Sequence, residues 1–355
     1  MNKGLKAREI MIKVGIIGHG FSAKTFHLPF ISASNEFAFT AISTRDPKSI
    51  VSHTHEGTDS KPLVFTTPEA LITSKKIDLV VITAPNDVHF SLAQLCLKNN
   101  LHVIVEKPIT VTQTEAEKLA ALAEEKALLL SVFHNRRWDG DFLTVKKLLD
   151  NNVLGDVKIF ESRFDRFRPV VGQKWKENKG NGTGVWHDLG SHLVDQVLVL
   201  FGLPHSLTGR CLALRDNAEA IDYFNVQLHY EDFEVILSSS PYTASEKPRF
   251  NIQGTKGQFV KQGVDSQEQQ LKDGLKPSSI EFGRENENQH GVLFTESSTK
   301  SISTERGDYG QYYTEIAQAI KNNAPLPVCA DDAVKVMKVI ELALLSTQHG
   351  RTLFL

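Results

Sequence analysis

The segment that decides the fold is "IKVGIIGHGFSA", residues 12–23. Its first six residues are mostly apolar and β-branched, which predicts a buried strand. The rest follows the pattern G-x-G-x-x-A. Gly18 permits a tight turn, Gly20 keeps side chains away from a pyrophosphate, and the small Ala23 lets a helix pack close to the strand. Because phosphate oxygens bind well at a helix N-terminus, the segment predicts a dinucleotide site. The turn residues predicted to contact the dinucleotide are Gly18, Gly20, Phe21, Ser22 and Ala23.

Residues 11–133 alternate apolar strand patterns with amphipathic helix patterns. Further strands are predicted at residues 37–42, 63–65, 79–83, 102–105 and 128–133. Alternation of fully apolar strands with helices indicates a doubly wound parallel sheet, the Rossmann type of α/β domain, with its ligand at the carboxyl ends of the strands. Residues 1–10 are predicted to be a short N-terminal arm.

Residues 134–355 have a different pattern. Apolar and polar residues alternate along 224–230, and hairpin signals occur at 254–257 and after residue 291. Helices are predicted at 139–149, 309–322 and 333–347. These features are typical of an α+β domain with a large, mostly antiparallel open sheet. We assign this domain to substrate binding and to oligomerisation.

The amino-acid composition indicates which partners to expect and in which compartment the protein works. Forty Lys and Arg oppose 42 Asp and Glu, so the balance gives no reason to expect nucleic acid or an anionic membrane as partner. No apolar run approaches the ~20 residues of a membrane span, and the first ten residues lack the apolar core of a signal peptide. Three widely spaced cysteines form no disulfide framework, which predicts a reducing compartment, the cytoplasm.

The end of the second strand reads "STRD", residues 43–46, where a carboxylate would hold the ribose 2′-hydroxyl of NAD. Ser43, Thr44 and Arg45 instead offer hydroxyls and a guanidinium, which suit a 2′-phosphate. We therefore predict NADP(H) rather than NAD(H), although a shift of register by one residue would bring Asp46 to the ribose and favour NAD(H).

The fourth strand ends in "TAPNDVHF". Thr83, Pro85 and Asn86 are predicted to line the nicotinamide side of the crevice, and His89 is expected to be a partly exposed residue near the start of a helix.

Two other positions carry ionisable groups that suggest chemistry. The fifth strand ends in Glu106, Lys107 and Pro108. Two charged residues are unusual at this position, because buried strands usually end in turn residues. A helix predicted at 185–200 places Asp188, His192 and Asp195 on one face at about 100 degrees per residue, and Gly190 is expected to keep that face open. The alternatives are an ion pair at the strand end and a solvated helix face.

These segments together carry a resemblance. The strand with "GHGFSA", the "EKP" of residues 106–108 and the helix "GTGVWHDLGSHLVDQ" resemble the glucose–fructose oxidoreductase, inositol dehydrogenase and rhizopine-catabolism family (Gfo/Idh/MocA). Within it, "LLSVFHNRRWDGDFLTVKKLL", "DLGSHLVDQVLVLFGLP" and the "LPV" before the last helix are similar to the branch of NADP-dependent inositol dehydrogenases. The resemblance implies that Lys107, Asp188 and His192 are catalytic, and that the Lys107–Pro108 bond is cis. It also implies that Asn86, Glu106, Lys107 and Trp175 neighbour the cofactor. Thr44 stands where NAD-dependent members have an aspartate.

The expected activity is an NADP(H)-dependent oxidoreductase that interconverts a hydroxyl and a ketone on a small polyhydroxylated substrate. A cyclic polyol of the inositol type ranks first and another sugar second. The predicted substrate-binding residues are Lys107, Asn135, Arg136, Asp188 and His192.

Other classes of function remain open at this point. A metal site of His187, Asp188 and His192 is disfavoured because His187 lies about 100 degrees from Asp188, and no metal is predicted. A non-catalytic NAD(P)-binding regulator is the alternative of a different class. A homodimer or homotetramer is expected to form through the C-terminal sheet.

Overall fold

A computed structural model describes residues 11–50, 61–172 and 177–355. The predicted arm of residues 1–10 and Trp175 lie outside this described part. The described chain contains two sheets, one of six strands and one of nine.

The first sheet is entirely parallel and has the order β3-β2-β1-β4-β5-β6. Its strands are β1 Ile12–Ile17, β2 Phe37–Ser43, β3 Leu63–Phe65, β4 Leu79–Ile82, β5 His102–Glu106 and β6 Leu130–Phe133. Strands β4 and β6 are buried along their whole length because helices cover both faces. The predicted Rossmann sheet is confirmed. Strand β6 starts later than predicted because the Leu128 N–H still donates to Ala123 O, at 2.9 Å, at the end of the preceding helix.

The helices of this half are α1 Leu28–Ala33, α2 Pro68–Ile72, α3 His89–Lys98 and α4 Gln113–Glu125. A π-helical turn, Ala23–His27, precedes α1. Threonine side chains cap two of the helices: Thr67 accepts from Ala70 N–H at the start of α2, and Thr112 accepts from Glu115 N–H at the start of α4. These bonds satisfy N–H groups that have no partner within the helix, which fixes where each helix begins.

The second sheet has the order β14-β13-β12-β11-β7-β10-β9-β8-β15 and is antiparallel except for the pairing of β7 with β10. Its strands are β7 Val157–Arg163, β8 Ser206–Leu212, β9 Tyr223–His229, β10 Glu234–Ser239, β11 Phe250–Gly254, β12 Gly257–Lys261, β13 Gly291–Phe294, β14 Thr299–Ile302 and β15 Leu353–Phe354. Both predicted hairpins are present, as β11–β12 and β13–β14. The prediction of a large, mostly antiparallel sheet is confirmed.

The helices of the second half are α5 Gly140–Asp150, α6 Ser191–Phe201, α7 Gln267–Lys272, α8 Tyr309–Asn322 and α9 Ala330–His349. Helix α9 is longer at both ends than predicted. Asp331 and Asp332 lie in its first turn, where carboxylates interact favourably with the helix dipole, and Gly350 ends the helix in the left-handed conformation, with φ 61°.

The core beneath the second sheet is built around Trp186, which is fully buried. Its ring lies 4.9 Å from that of Phe224, and its Nε1–H donates to Ile340 O at 3.0 Å. A Cβ atom at residue 190 would lie 2.2 Å from the Trp186 ring. The expectation that Gly190 keeps the polar face open is therefore wrong, because the glycine makes room for the indole.

The last two helices return to the Rossmann sheet. Tyr312 on α8 donates to Ser131 Oγ in β6 at 2.9 Å, and Ser131 Oγ donates to Val328 O, just before α9, at 2.7 Å. Glu341 on α9 accepts from Gln113 N–H, at the start of α4, at 2.6 Å. The domain bounds at residues 133 and 134 stay a prediction, and these contacts bind the two halves together whatever the bounds.

Within residues 11–50, 61–172 and 177–355, no helix has the length and apolarity that crossing a membrane requires.

Candidate active site

The glycine turn after β1 is held from both neighbouring strands. Gly18 N–H donates to Ser43 O in β2 at 2.9 Å, and Thr83 Oγ1, just after β4, donates to Ile17 O at 2.9 Å. Gly18 has φ 98°, and a Cβ atom there would lie 2.8 Å from Thr83 Oγ1. This position therefore requires glycine.

The next glycine faces open space. A Cβ atom on Gly20 would meet nothing within 4 Å, so its backbone is accessible to a ligand at the start of the helix. Ala23 is buried behind the turn, and Phe21 is 56% exposed, with its ring 5.5 Å below Lys272 Nζ. An open backbone beside a helix N-terminus fits a dinucleotide pyrophosphate.

Residues 43–46 lie beside this turn at the carboxyl end of β2. Ser43 and Thr44 are buried, whereas Arg45 and Asp46 are exposed. Thr44 Oγ1 accepts from Asp46 N–H at 3.1 Å. The loop thus presents one guanidinium and one carboxylate at its surface. Arg45 could bind the 2′-phosphate of NADP(H), and Asp46 could bind the 2′-hydroxyl of NAD(H).

The loop after β4 closes against the second half. Asn86 Nδ2 donates to Gly182 O at 2.9 Å, in the glycine-rich segment that leads to α6, and Pro85 precedes it. His89 is fully buried, and its two ring nitrogens lie 2.9 Å from Ala84 O and Pro108 O. The expectation of a partly exposed His89 is wrong, because the ring ties the loop after β4 to the loop after β5.

Lys107 reaches from the end of β5 to the second half of the chain. Its Nζ donates to the main-chain oxygen of Asp188 at 2.7 Å and to Asp188 Oδ1 at 2.8 Å. The two side chains are 11% and 30% exposed, and the Lys107–Pro108 bond is cis. The lysine at the end of this interior strand is therefore mostly buried, and its ammonium binds Asp188 rather than only its neighbour Glu106.

Asp188 lies in a π-helical turn, Trp186–Gly190, that runs into α6. A π-helical turn is wider than an α-helical one, so 100 degrees per residue does not hold across it. His192, in the first turn of α6, is 7% exposed, and its ring centroid is 6.4 Å from that of His134.

Asp195 does not join Asp188, contrary to the sequence prediction. Its carboxylate accepts two hydrogen bonds from Arg137, at 2.7 and 2.9 Å, and it is 2% exposed. Burial acts to raise the pKa of Asp195, but the charges of Arg137 and His134 outweigh it and lower that pKa. This pair belongs to the interior and takes no part in the contact between Lys107 and Asp188.

Glu106 is held by protein groups on several sides. His27 Nε2 lies 2.9 Å from its Oε1, Ser22 Oγ donates to the same oxygen, and Lys107 N–H donates to Oε2 at 3.2 Å. Burial alone would raise the pKa of Glu106, but the bond and the charge of His27, the bond from Ser22 and the charge of Lys107 lower it to about 2. Glu106 is thus a fixed anion that joins the glycine turn to the end of β5.

The predicted substrate residues after β6 are largely enclosed. Asn135 is 6% exposed. The Arg136 guanidinium donates to Asp139 at 3.0 Å and to Glu268 at 2.9 Å, and it lies 5.0 Å from the centre of the Phe164 ring. Because Arg136 is bound to two carboxylates, its contact with a substrate stays a prediction.

His187 is bonded to the segment that precedes it: its Nδ1 lies 3.1 Å from Thr183 O, and burial lowers its pKa. Across the described ranges, no three His, Cys, Asp or Glu side chains are arranged to hold a metal ion.

Comparison with known proteins places this geometry in a family. Residues 12–134 match the oxidoreductase-family domain described as an NAD-binding Rossmann fold, and residues 146–355 match its C-terminal alpha/beta domain. The chain belongs to the Gfo/Idh/MocA oxidoreductase family. As a Gfo/Idh/MocA protein it is an enzyme with an NAD-binding Rossmann domain, which sets aside the non-catalytic regulator considered above.

Three relatives match along nearly the whole chain. The uncharacterised oxidoreductase YdgJ of Escherichia coli is 42% identical, over 97% of this chain and 99% of its own. The scyllo-inositol 2-dehydrogenase (NADP(+)) IolW of Bacillus subtilis is 37% identical, over 97% and 96%. The solved structure of yvaA from Bacillus subtilis is 37% identical, covers 97% of this chain and 98% of its own, and superposes with a TM-score of 0.92.

Sequence reasoning missed the supporting residues of this Gfo/Idh/MocA site. His89 joins two loops, and His27 joins the first helical turn to Glu106 and to Tyr313, which lies 286 residues away along the chain. Each looks like an ordinary helix residue in the sequence, because only the folded chain brings its partners together.

The buried Glu106 anion predicts a change in stability with pH. Its pKa is lowered from 4.5 to about 2, so the stabilisation is fully present above pH 4.5 and is lost as the pH falls toward 2. Glu106→Gln should lower the free energy of unfolding at pH 7 by up to about 3 kcal/mol, and by much less near pH 3. Urea unfolding at both pH values measures the difference. Glu125→Gln, at an exposed carboxylate, is the control, and equal losses at both pH values for Glu106→Gln would contradict the prediction.

Proposed function

We propose that this enzyme uses NADP(H) to interconvert a hydroxyl and a ketone on a small cyclic polyol, with an inositol ranked first and another sugar second. The observation that carries the proposal is the contact of Lys107 with Asp188, at 2.8 Å, at the strand ends where ligands of such sheets bind. The 37% identity to a protein named as an NADP(+)-dependent scyllo-inositol dehydrogenase supports the order of substrates.

The residues proposed to hold the cofactor surround the open turn at Gly20. The pyrophosphate would lie against residues 18–23, the ribose phosphate against Ser43, Thr44 and Arg45, and the nicotinamide near the loop that carries Thr83, Pro85 and Asn86 and the strand end at Glu106 and Lys107. When bound, the cofactor supplies the hydride chemistry.

The protein residues then manage the proton and the charge. The Lys107 ammonium, fixed by Asp188, would stabilise the negative charge that develops on the reacting oxygen. His192 would take the hydroxyl proton during oxidation and return it during reduction, since imidazole has an ordinary pKa near 6.5. Asp188 would orient Lys107 and bind a neighbouring hydroxyl.

The cofactor proposal predicts a selective effect at the exposed Arg45. Arg45→Ala should weaken NADPH binding by roughly 1.5–3 kcal/mol, since a charge-assisted bond to the 2′-phosphate is lost, and should leave NADH binding nearly unchanged. Calorimetric titration with both cofactors measures this, with Lys48→Ala, three residues along the chain, as control. Equal affinity of the unmodified enzyme for NADPH and NADH would refute the preference.

The catalytic assignment predicts a loss of rate without a loss of cofactor. Lys107→Ala and His192→Ala should each lower turnover about a hundredfold or more while cofactor affinity is largely kept. The matched control is His187→Gln, on the same helical segment with its ring bonded to Thr183, which should stay within a fewfold of the unmodified enzyme. Near-normal turnover in either test variant would reassign that residue to structure.

The substrate class is tested by a panel of inositols and aldoses with NADP+ and NAD+, read at the absorbance of the reduced nicotinamide. A cyclic polyol should react with NADP+, because its ring presents several hydroxyls without loss of chain entropy. With His192 as base in one direction and acid in the other, oxidation should be faster at higher pH and reduction faster at lower pH. Inert cyclic polyols together with a reactive short-chain aldehyde would overturn the substrate proposal.

We also propose that the enzyme is a homodimer or homotetramer formed through the nine-stranded sheet. The face opposite the core mixes amide and aliphatic side chains at half-exposed positions, among them Asn225, Ile236, Asn251, Val260 and Val292. Such a mixed surface is typical of interfaces between subunits. Sedimentation of the enzyme as a monomer at micromolar concentration would refute this proposal.

A further inference from the structure

His27 lies at the end of the π-helical turn after β1 and is fully buried. Its Nε2 is 2.9 Å from Glu106 Oε1, and its Nδ1 is 2.6 Å from the hydroxyl of Tyr313 on α8. One imidazole therefore joins the glycine-turn helix, the end of the strand that carries Lys107, and a helix of the second half.

The chemistry of the carboxylate sets the direction of the bond between His27 and Glu106. An ionised carboxylate only accepts, so Nε2 carries the hydrogen and donates to Glu106. With a neutral ring Nδ1 accepts from the Tyr313 hydroxyl, and with a protonated ring Nδ1 donates to the hydroxyl oxygen. In either form His27 donates to Glu106 and stays bonded to Tyr313.

Aromatic packing leaves this imidazole little room to turn. The Phe133 ring centroid lies 4.4 Å from that of His27, and the Tyr313 ring meets His27 edge-on at 6.2 Å. Tyr313 is itself stacked on Phe30, at 6.3 Å with 9° between the ring planes. Both hydrogen bonds are thus held in a fixed geometry.

We propose that His27 and Tyr313 are positioning residues that keep Glu106 ionised and oriented beside Lys107, and thereby extend binding of the oxidised cofactor to acidic pH. This inference rests on the proposed place of the nicotinamide near Glu106. The oxidised nicotinamide is a cation, so an anion beside the Lys107 ammonium offsets the repulsion between the two positive charges. A protonated Glu106 would leave that repulsion uncompensated.

The surroundings of Glu106 make it depend on these donors. The titratable groups that face it are His27, Lys107, His89 on α3, and Tyr312 and Tyr313 on α8. Burial is the largest single influence and favours the neutral acid, whereas the His27 bond is the largest of the influences that favour the anion. With His27 removed, the pKa of Glu106 should therefore rise.

The test compares four variants of the full-length enzyme by calorimetric titration with NADP+ between about pH 5 and 8. The measured quantity is the dissociation constant of each variant divided by that of the unmodified enzyme at the same pH, so the ionisation of the cofactor itself cancels. His27→Leu should bind nearly normally at pH 8 and about tenfold more weakly at pH 5. His27→Gln keeps an amide donor and should restore most of the affinity at pH 5.

Tyr313→Phe removes only the distal bond and should weaken binding about threefold at pH 5 and little at pH 8. Its matched control is Tyr312→Phe, one residue earlier on α8, where the lost hydroxyl binds Ser131 rather than His27. That control should show no change with pH.

A folded His27→Leu with a constant ratio across the pH range would overturn the inference. If His27→Leu does not fold, equal pH dependence in Tyr313→Phe and Tyr312→Phe would overturn it instead. The readout is cofactor binding, so an incorrect substrate assignment leaves the test intact. If the enzyme prefers NAD+, the titration is made with NAD+, since the nicotinamide charge is the same.

Discussion

The site depends on the contact between Lys107 and Asp188, in which the ammonium donates to the main-chain oxygen and to the carboxylate of the aspartate. The two residues come from different halves of the chain. The lysine stands at the end of a parallel strand and the aspartate in the wide turn before α6. Each half alone would bury one charge without its partner, which costs several kcal/mol. The packing of α8 and α9 against the Rossmann sheet keeps the two partners in register.

The supports around this pair divide into two sets. Thr83, Asn86 and His89 tie the loops after β4 and β5 to the glycine turn and to the segment before α6. Ser22 and His27 tie the first helix to Glu106. Hydrogen bonds to charged or fully buried groups are costly to leave unmade, so these supports restrict how far the loops can move.

Much of the fold could be predicted from local patterns. Strand β1 and helix α8 have their predicted bounds because apolar periodicity and a cap residue decide them locally. The roles of Asp195, His89 and Gly190 could not be predicted, because each depends on a partner fixed only by tertiary packing: Arg137, two loop carbonyls and the Trp186 ring. The helical wheel grouped Asp195 with Asp188 and His192, but its carboxylate is bound by Arg137. The family resemblance implied that Lys107 and Asp188 belong to one site, but their direct contact was not predicted.

The return of α8 and α9 to the first sheet bears on how such enzymes can be recombined. A chimaera of two relatives joined near residue 134 would take His27, Gln113 and Ser131 from one parent and Tyr313, Glu341 and Val328 from the other. To exchange cofactor preference by grafting the Rossmann half, residues 309–349 must therefore be exchanged together with it. The part of this architecture that must be exchanged intact is therefore discontinuous in sequence and consists of the first sheet with helices α8 and α9.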